Sequence, residues 1–273
     1  MTKWIAILLG MFTVPPGAQW LNYPEVGTPR TKDGKPNLNA PAPRTNGKSD
    51  LSGVWQAERT PRAEWAHVLG DDRAKIEIDL YDVTKEAMNV FWALKPEEEP
   101  LRPEALALMK QRRGQAYPPP PCLPHSVPMD IFLFTFKMIQ ARREIVIIPE
   151  VGDPPRQIYT DSRGLPKDDP QPSWMGYSVG RWEGDTLAVE TAGFNDEGRL
   201  DAAGHPRSES THVWERYHRR DFGHMDLEVT IEDPKYYTRP IVLKTQLNLI
   251  PDSDVIEFVC TENEKDRAHT EKH

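Results

Sequence analysis

The chain has 273 residues, of which 38% are hydrophobic and 28% charged, and its formal net charge is −8. This length allows one large domain with a full hydrophobic core. Because phosphate groups are bound by clustered Lys and Arg, the acidic balance argues against nucleic acid and anionic membranes as partners.

The amino terminus has the layout of a secretory signal peptide. Lys3 precedes the apolar run Trp4–Val14, and small residues lead to Ala18. The run is too short to span a hydrocarbon core of about 30 Å. We therefore predict a signal peptide over residues 1–18, a secreted or periplasmic protein, and no membrane span in the mature chain. An uncleaved or buried anchor helix is the alternative.

The predicted export bears on whether the two cysteines, Cys122 and Cys260, form a disulfide. An even number of cysteines in an oxidising compartment favours one disulfide, which would stabilise the fold by about 4–5 kcal/mol in the chain-entropy model. Two separate buried thiols are the alternative. Neither cysteine has the spacing of a zinc site and no two histidines are two residues apart, so we predict neither a metal nor a cofactor.

The segment before the first predicted strand is polar and irregular. Residues 19–50 are rich in Pro, Gly, Asn and Lys, so they cannot bury enough apolar area to form a core. We predict an extended leader that is either flexible or laid over the domain as a strap. From 61 to 114 the pattern becomes helical, with helices over 83–93 and 103–113.

Beyond Met129 the hydrophobic pattern has a period of two, which is typical of strands. Short polar turns at 182–186 and 251–254 indicate hairpins. With no crossover helices, the pattern predicts a mainly β fold over 51–273, namely an antiparallel β-barrel of about ten strands, lipocalin-like or similar, with the helical insertion 61–114. A two-sheet β-sandwich is the alternative. The predicted strands are 51–55, 131–139, 144–148, 157–160, 177–182, 187–194, 212–218, 225–232, 241–250 and 255–260.

Residues 174–187 read WMGYSVGRWEGDTL and resemble the hallmark motif of a family of secreted bacterial proteins. The resemblance implies export and carries no mechanism. Ser162 stands where that family has Gly, and Arg207 where a second His often follows, which weighs against a metal site built on paired histidines. Gly53 and Trp55 are also similar to the opening strand of lipocalins. The likeness to the secreted bacterial family extends to 156–161, 204–206, 215–217 and 260–263.

The densest group of polar residues in the β half surrounds the predicted strand 157–160. Tyr159 and Asp161 share a face by the two-residue alternation, and Arg156 and Arg163 flank them. A carboxylate beside a phenol and two guanidinium groups is suited to anchor a substrate and move a proton. A structural ion-pair cluster that caps the barrel is the alternative.

Further candidates lie nearby in the sequence. His205 is a candidate for proton transfer, and Trp174, Tyr177 and Glu209 are candidates for substrate binding. Aromatic faces suit sugars and flat phenolic compounds. On the predicted strand 212–218, His212, Trp214 and Arg216 should lie on one face and Val213, Glu215 and Tyr217 on the other.

These residues favour an exported enzyme that cleaves or eliminates at a polyhydroxylated (carbohydrate-like) or aromatic small molecule, possessing a general acid–base site in a barrel pocket. Asp161, Tyr159 and His205 would move protons, and Arg156 and Arg163 would anchor the substrate. A non-catalytic, lipocalin-like ligand-binding protein is one alternative. An envelope interaction protein is another, in which basic residues of the leader dock an acidic partner; these are Arg30, Lys32, Lys35, Arg44 and Lys48.

Overall fold

The structure, a computed structural model, describes residues 23–61, 64–65, 84–112, 123–167 and 171–259. Nine strands close into one barrel, which confirms the predicted fold class. They are β3 (Gly53–Ala57), β4 (Phe136–Gln140), β5 (Glu144–Pro149), β6 (Arg156–Tyr159), β7 (Tyr177–Glu183), β8 (Thr186–Ala192), β9 (His212–Arg219), β10 (His224–Glu232) and β11 (Ile241–Leu249). Two short strands, β1 (Arg44–Thr45) and β2 (Lys48–Ser49), form a separate hairpin in the leader.

The barrel follows the chain, because each strand from β3 to β11 pairs with the next and β11 closes on β3. An odd number of strands connected in this order cannot all be antiparallel in a closed ring. One parallel pair is therefore required, and it is β6 with β7, where Ile158 lies opposite Ser178. A parallel pair also needs a connection longer than a hairpin, and residues 160–176 supply it. The prediction of purely antiparallel strands was wrong at this pair.

Inward and outward side chains alternate along the strands, as the sequence pattern predicted. On β10 the pattern runs from Met225 to Ile231 without a break, and on β9 Val213, Glu215 and Tyr217 face inward. The inward apolar side chains belong to one buried cluster that includes Trp55 and Phe136. The inside of the barrel is thus lined by packed side chains.

The two ends of the barrel are closed by different segments. Where β9 turns into β10, Arg219 donates hydrogen bonds to the carbonyl oxygens of Asp50 and Ser52 and lies over the ring of Trp55. The opposite end, where β4 begins, is covered by short helical segments. These are α1 (Lys85–Met88), a 3₁₀ turn (Pro96–Glu98), α2 (Pro103–Arg112) and α3 (Met129–Phe132).

The described part of the leader lies along the barrel. The backbone N–H groups of Phe222 and Gly223 donate to the carbonyl oxygens of Ala40 and Leu38, at 2.7 and 2.8 Å. Two of the basic residues proposed to dock an acidic partner are instead paired within the chain. Arg30 forms an ion pair with Asp252, and Arg44 forms one with Asp185.

Three predicted elements differ from the structure. The strand expected over 131–139 begins only at Phe136, because the apolar residues before it form α3. The helix expected over 83–93 is the single turn α1, followed by turns from Val90 to Ala93. The strand expected over 255–260 is absent from its described part, 255–259, since β11 already pairs with β3 to close the barrel. The predicted signal peptide falls outside the described residues.

Among the helices in the described ranges, none is long and apolar enough to cross a membrane.

A substitution at Gly223, where the leader contacts the barrel, tests whether the leader is docked as a strap. A Cβ atom there would lie 2.4 Å from the Cβ of Leu38, whereas one at Gly164 would meet nothing within 4 Å. We expect Gly223→Ala to lower the free energy of unfolding in urea by about 1–3 kcal/mol, because the strap must move. It should also speed proteolysis of residues 23–50. Gly164→Ala is the matched control, and equal behaviour of both variants would contradict the docked strap.

Candidate functional site

A cluster of ionisable side chains lies inside the barrel, at the end that α3 covers. Arg156 of β6 forms a two-pronged ion pair with Glu215 of β9, and its Nη1 lies 3.4 Å from Oδ2 of Asp130 on α3. Tyr217 donates its hydroxyl to Glu215 at 2.8 Å. The guanidinium also donates to the hydroxyl oxygens of Ser178 and Thr191, at 3.1 and 2.8 Å. We call these six residues the interior cluster.

The charges of the interior cluster are not balanced one to one. Two carboxyl groups share one guanidinium, and the side chains of Asp130 and Glu215 are fully buried. Burial raises the pKa of Asp130 to about 7, a shift opposed by Arg156 and reinforced by Glu215. The same carboxylates hold the pKa of Arg156 above its usual value. Asp130 therefore exchanges its proton near neutral pH, and among the described residues its Oδ1 has no hydrogen-bond partner.

The predicted proton-transfer group lies on the outer surface instead. Arg163 forms an ion pair with Asp161 at 2.6 Å, lies over the ring of Tyr159 at 4.0 Å, and donates to the hydroxyl of Tyr177. The rings of Tyr159 and Tyr177 stack at 5.2 Å. The hydrogen bonds from Arg163 lower the pKa of Asp161 to about 2. A carboxylate that acidic is a weak proton acceptor at neutral pH.

The structure thus separates residues that the sequence analysis grouped. Tyr159 and Asp161 do share a face, but Arg156 is three residues before Tyr159, and an odd separation on a strand places two side chains on opposite faces. Arg156 is 2% exposed and points inward. The expected convergence of Arg156 with Asp161 on one concavity was wrong.

His205 lies in a third place, buried beneath the turn that follows α1. Its Nδ1 is 2.5 Å from Asp201 and its Nε2 is 3.3 Å from Glu99. These two carboxylates raise its pKa to about 9 although burial opposes the shift. Asp201 also accepts from the backbone N–H of Val90 at 2.8 Å. His205 is thus an imidazolium that ties loop 201–205 to the segment around Val90 and Glu99.

The remaining predicted residues do not join these groups. Trp174 is half-buried, and its carbonyl oxygen accepts hydrogen bonds from Ser126 and Arg207. Glu209 is exposed on the loop before β9. Cys122 and Cys260 lie outside the described residues, so the disulfide stays a prediction. In the described ranges, no group of three or more His, Cys, Asp or Glu side chains has the arrangement of a metal site.

A pocket of about 420 Å³ opens between the α1 segment and the start of β11. Its lining includes the aromatic residues Phe91 and Trp92 and the acidic residue Glu86. We call it the α1 pocket. Its other walls are Val90, Leu94, Pro100 and residues 239–244, with cationic groups on Lys85, Arg239 and Lys244.

Glu86 is the ionisable group best placed for chemistry in the α1 pocket. It is 6% exposed, and burial, assisted by the nearby charge of Glu64, raises its pKa. Lys85 forms an ion pair with Glu64 at 2.5 Å and lies 3.9 Å from the ring centre of Trp92. The capping hydroxyl of Thr84, which accepts from the N–H of Ala87, fixes the start of α1. A carboxyl group with a raised pKa thus lies near Glu64, which Lys85 holds in an ion pair.

The sequence analysis missed both Glu86 and Asp130. Asp130 left a signal, because it is the one charged residue in the apolar run 127–134 (VPMDIFLF), and such a charge is usually paired when buried. Glu86 left none, since the pocket joins residues 85–94 to residues 239–244, which no local pattern connects.

Comparison of the chain with family models, with curated proteins and with solved structures finds no match in any of the three. The functional assignment therefore rests on the geometry of the described residues.

The interior cluster gives a pH-dependent stability. The folded state raises the pKa of Asp130 from 3.8 to about 7, so it binds an extra proton between these values. The free energy of unfolding should therefore fall as the pH rises from about 4 to about 7, by up to about 4 kcal/mol. Asp130→Asn should remove this slope and be the more stable form at pH 8, as measured by urea unfolding. The exposed Asp196→Asn is the control, and an unchanged slope in Asp130→Asn would contradict this reading of the cluster.

Proposed function

We propose that the chain is an exported enzyme that cleaves or eliminates at a polyhydroxylated, carbohydrate-like or aromatic small molecule by general acid–base chemistry. The site we propose is the α1 pocket rather than the inside of the barrel. The observation that carries the proposal is the buried carboxyl group of Glu86 in the wall of an open, aromatic pocket. Carboxyl groups buried against apolar side chains are the usual general acids of such reactions.

The walls of the pocket support this substrate class. A volume of about 420 Å³ is within the range of small-molecule sites. The half-buried ring of Trp92 can match the apolar plane of a sugar or phenol, while the exposed cation of Arg239 suits hydroxyl or carboxylate groups. Mixed apolar and polar walls of this kind orient a ligand as well as hold it.

The two carboxyl groups near Lys85 can divide the chemistry of a hydrolysis between them. The proton of Glu86 passes to the departing oxygen as the bond to carbon breaks. A water molecule supplies the oxygen that attacks this carbon, and the carboxylate of Glu64 accepts a proton from it. Transfer of that proton back to Glu86 through solvent restores the site. Glu64 lies outside the lining of the pocket, and its ion pair with the lining residue Lys85 connects it to the site.

His205 supports the same pocket without entering it. Phe91 lies edge-on to the imidazolium at 4.9 Å, and the Glu99 partner of His205 directly precedes Pro100 in the pocket wall. The backbone N–H groups of Ala202 and Ala203 also donate to the carbonyl oxygens of Ala87 and Met88 in α1. A site that must place a proton donor accurately needs such supporting contacts.

Glu86→Gln tests the proposal directly. The amide has the same shape and no proton to give, so we expect turnover to fall by roughly 10²- to 10⁴-fold. The measurement is release of 4-nitrophenol from a panel of 4-nitrophenyl glycosides, glycosiduronates and esters. Because the pKa of Glu86 is raised, wild-type activity should persist to a higher pH than an ordinary carboxylic acid allows, and decline as Glu86 ionises.

Glu97→Gln is the matched control, since Glu97 is exposed on the neighbouring 3₁₀ turn. Full activity in Glu86→Gln would contradict the assigned acid. No turnover on the whole panel, together with saturable binding of the same compounds, would favour the ligand-binding alternative.

Export is part of the proposal and has its own test. Lys3 and the apolar run Trp4–Val14 support it. The exported protein should have the intact mass of a chain that begins after Ala18, and titration of denatured, unreduced protein should find no free thiol on Cys122 or Cys260. A mass that retains residues 1–18 would contradict cleavage, and two free thiols would contradict the disulfide.

A further inference from the structure

We propose that the outer face of β8–β11 is a binding site for a neutral oligosaccharide chain. A groove of about 490 Å³ crosses this face. Its walls carry hydroxyl, imidazole, carboxylate, ammonium and amide groups, from Thr186, His218, Asp226, Glu228, Lys244 and Gln246. We call it the outer groove. Sugar hydroxyl groups both donate and accept hydrogen bonds, so a row of them requires closely spaced donors and acceptors.

The register of the strands sets these groups in two cross-strand rows. Asp226 lies opposite His218 on one side and Gln246 on the other. Glu228 lies opposite Arg216 and Lys244 in the same way. Neighbouring strands are about 4.8 Å apart and successive outward residues about 7 Å apart, so the rows offer a grid of polar groups to an extended ligand.

Ion pairs hold the charged groups of the grid in place. Lys244 pairs with Glu228 at 2.7 Å, and Arg220 pairs with Asp226 at 3.2 Å. Each carboxylate therefore has its charge matched while keeping further lone pairs for hydroxyl donors. A polyanion would meet these carboxylates on an acidic protein, so charge favours a neutral chain over a nucleic acid.

An aromatic platform extends the groove along β9. Trp214 and His212 stack with ring centres 5.5 Å apart, on the same outward face as Arg216, which lines the groove. Trp214 is only half-buried. A partly exposed indole beside a polar grid is suited to pack on the apolar plane of a sugar ring.

The outer groove adjoins the α1 pocket. Lys244 lines both, since it lies between the grid and the pocket residues of β11, Ile241–Leu243. An oligosaccharide in the groove would thus have one end at the pocket that contains Glu86. In this respect the inference rests on the proposed function and names its substrate as a chain longer than a single sugar.

Binding of neutral hexasaccharides to the full chain tests the site, with the β-1,4-glucan, α-1,4-glucan, xylan, mannan and chitin series as probes. We expect at least one to bind and to change tryptophan fluorescence. Trp214→Ala and Gln246→Ala should each weaken that binding at least five-fold, while turnover of 4-nitrophenyl monosaccharides stays as in the unaltered chain. Gln157→Ala, an exposed glutamine on the outside of β6, is the matched control.

The inference is overturned if none of the five series binds with a Kd below about 1 mM, or if both groove variants bind like the control. Its failure is separable from failure of the proposed function. If Glu86→Gln loses turnover but no oligosaccharide binds in the groove, the proposed enzyme stands and the oligosaccharide site is contradicted. If oligosaccharides bind in the groove but Glu86→Gln keeps full activity, the oligosaccharide site stands and the proposed enzyme mechanism is contradicted.

Discussion

The closed end of the barrel depends on the ion pairs and hydrogen bonds that the buried guanidinium of Arg156 forms. A cation removed from water is tolerated only when carboxylates and hydrogen-bond acceptors replace the solvent around it. Arg156 finds these on three neighbouring strands and on α3. Since Asp130 is the contact from α3, the same charge that stabilises the barrel interior also holds the covering helix in position.

The position of α3 affects the proposed site because α3 packs against an element that forms it. The helix α3 packs against β3 and against α1, which carries Glu86. On the other side of α1, Asp201 and His205 bind the segment around Val90 and Glu99. The α1 pocket is thus built on irregular chain but supported from both sides by buried, charge-assisted contacts. These contacts allow a site made of turns to hold its side chains as accurately as acid–base chemistry requires.

The sequence was most informative where a local period exists. The alternation along β9 and β10 identified both strands and placed Glu215 on the same face as Val213 and Tyr217, because a strand with one buried face must alternate. Alternation does not say which of two polar faces is inside, so the group of Tyr159 and Asp161 was assigned to the wrong side of the wall. The parallel pairing of β6 with β7 follows from the closure of an odd ring, which no single strand reveals.

The residues of the proposed site were harder to anticipate for a different reason. Glu86 meets Arg239 and Lys244 across about 150 residues of chain, and α1 is one turn long, too short for a helical period to develop. Tertiary packing alone creates this neighbourhood. By contrast, Asp130 within its apolar run was a legible sign of a buried ion pair, because an unpaired charge would be too costly there.

The pairing that closes the ring also governs when the molecule can fold. Trp55 and Ala57 find their partners Leu249 and Leu247 nearly two hundred residues later. A nascent chain leaving the ribosome therefore holds the edge of β3 open until almost all of the protein has been synthesised. Long-range pairings of this kind slow folding, and the unpaired edge must be kept from aggregating meanwhile. A chain that must stay open during synthesis would gain from this delay, since its barrel cannot close before β11 has been made.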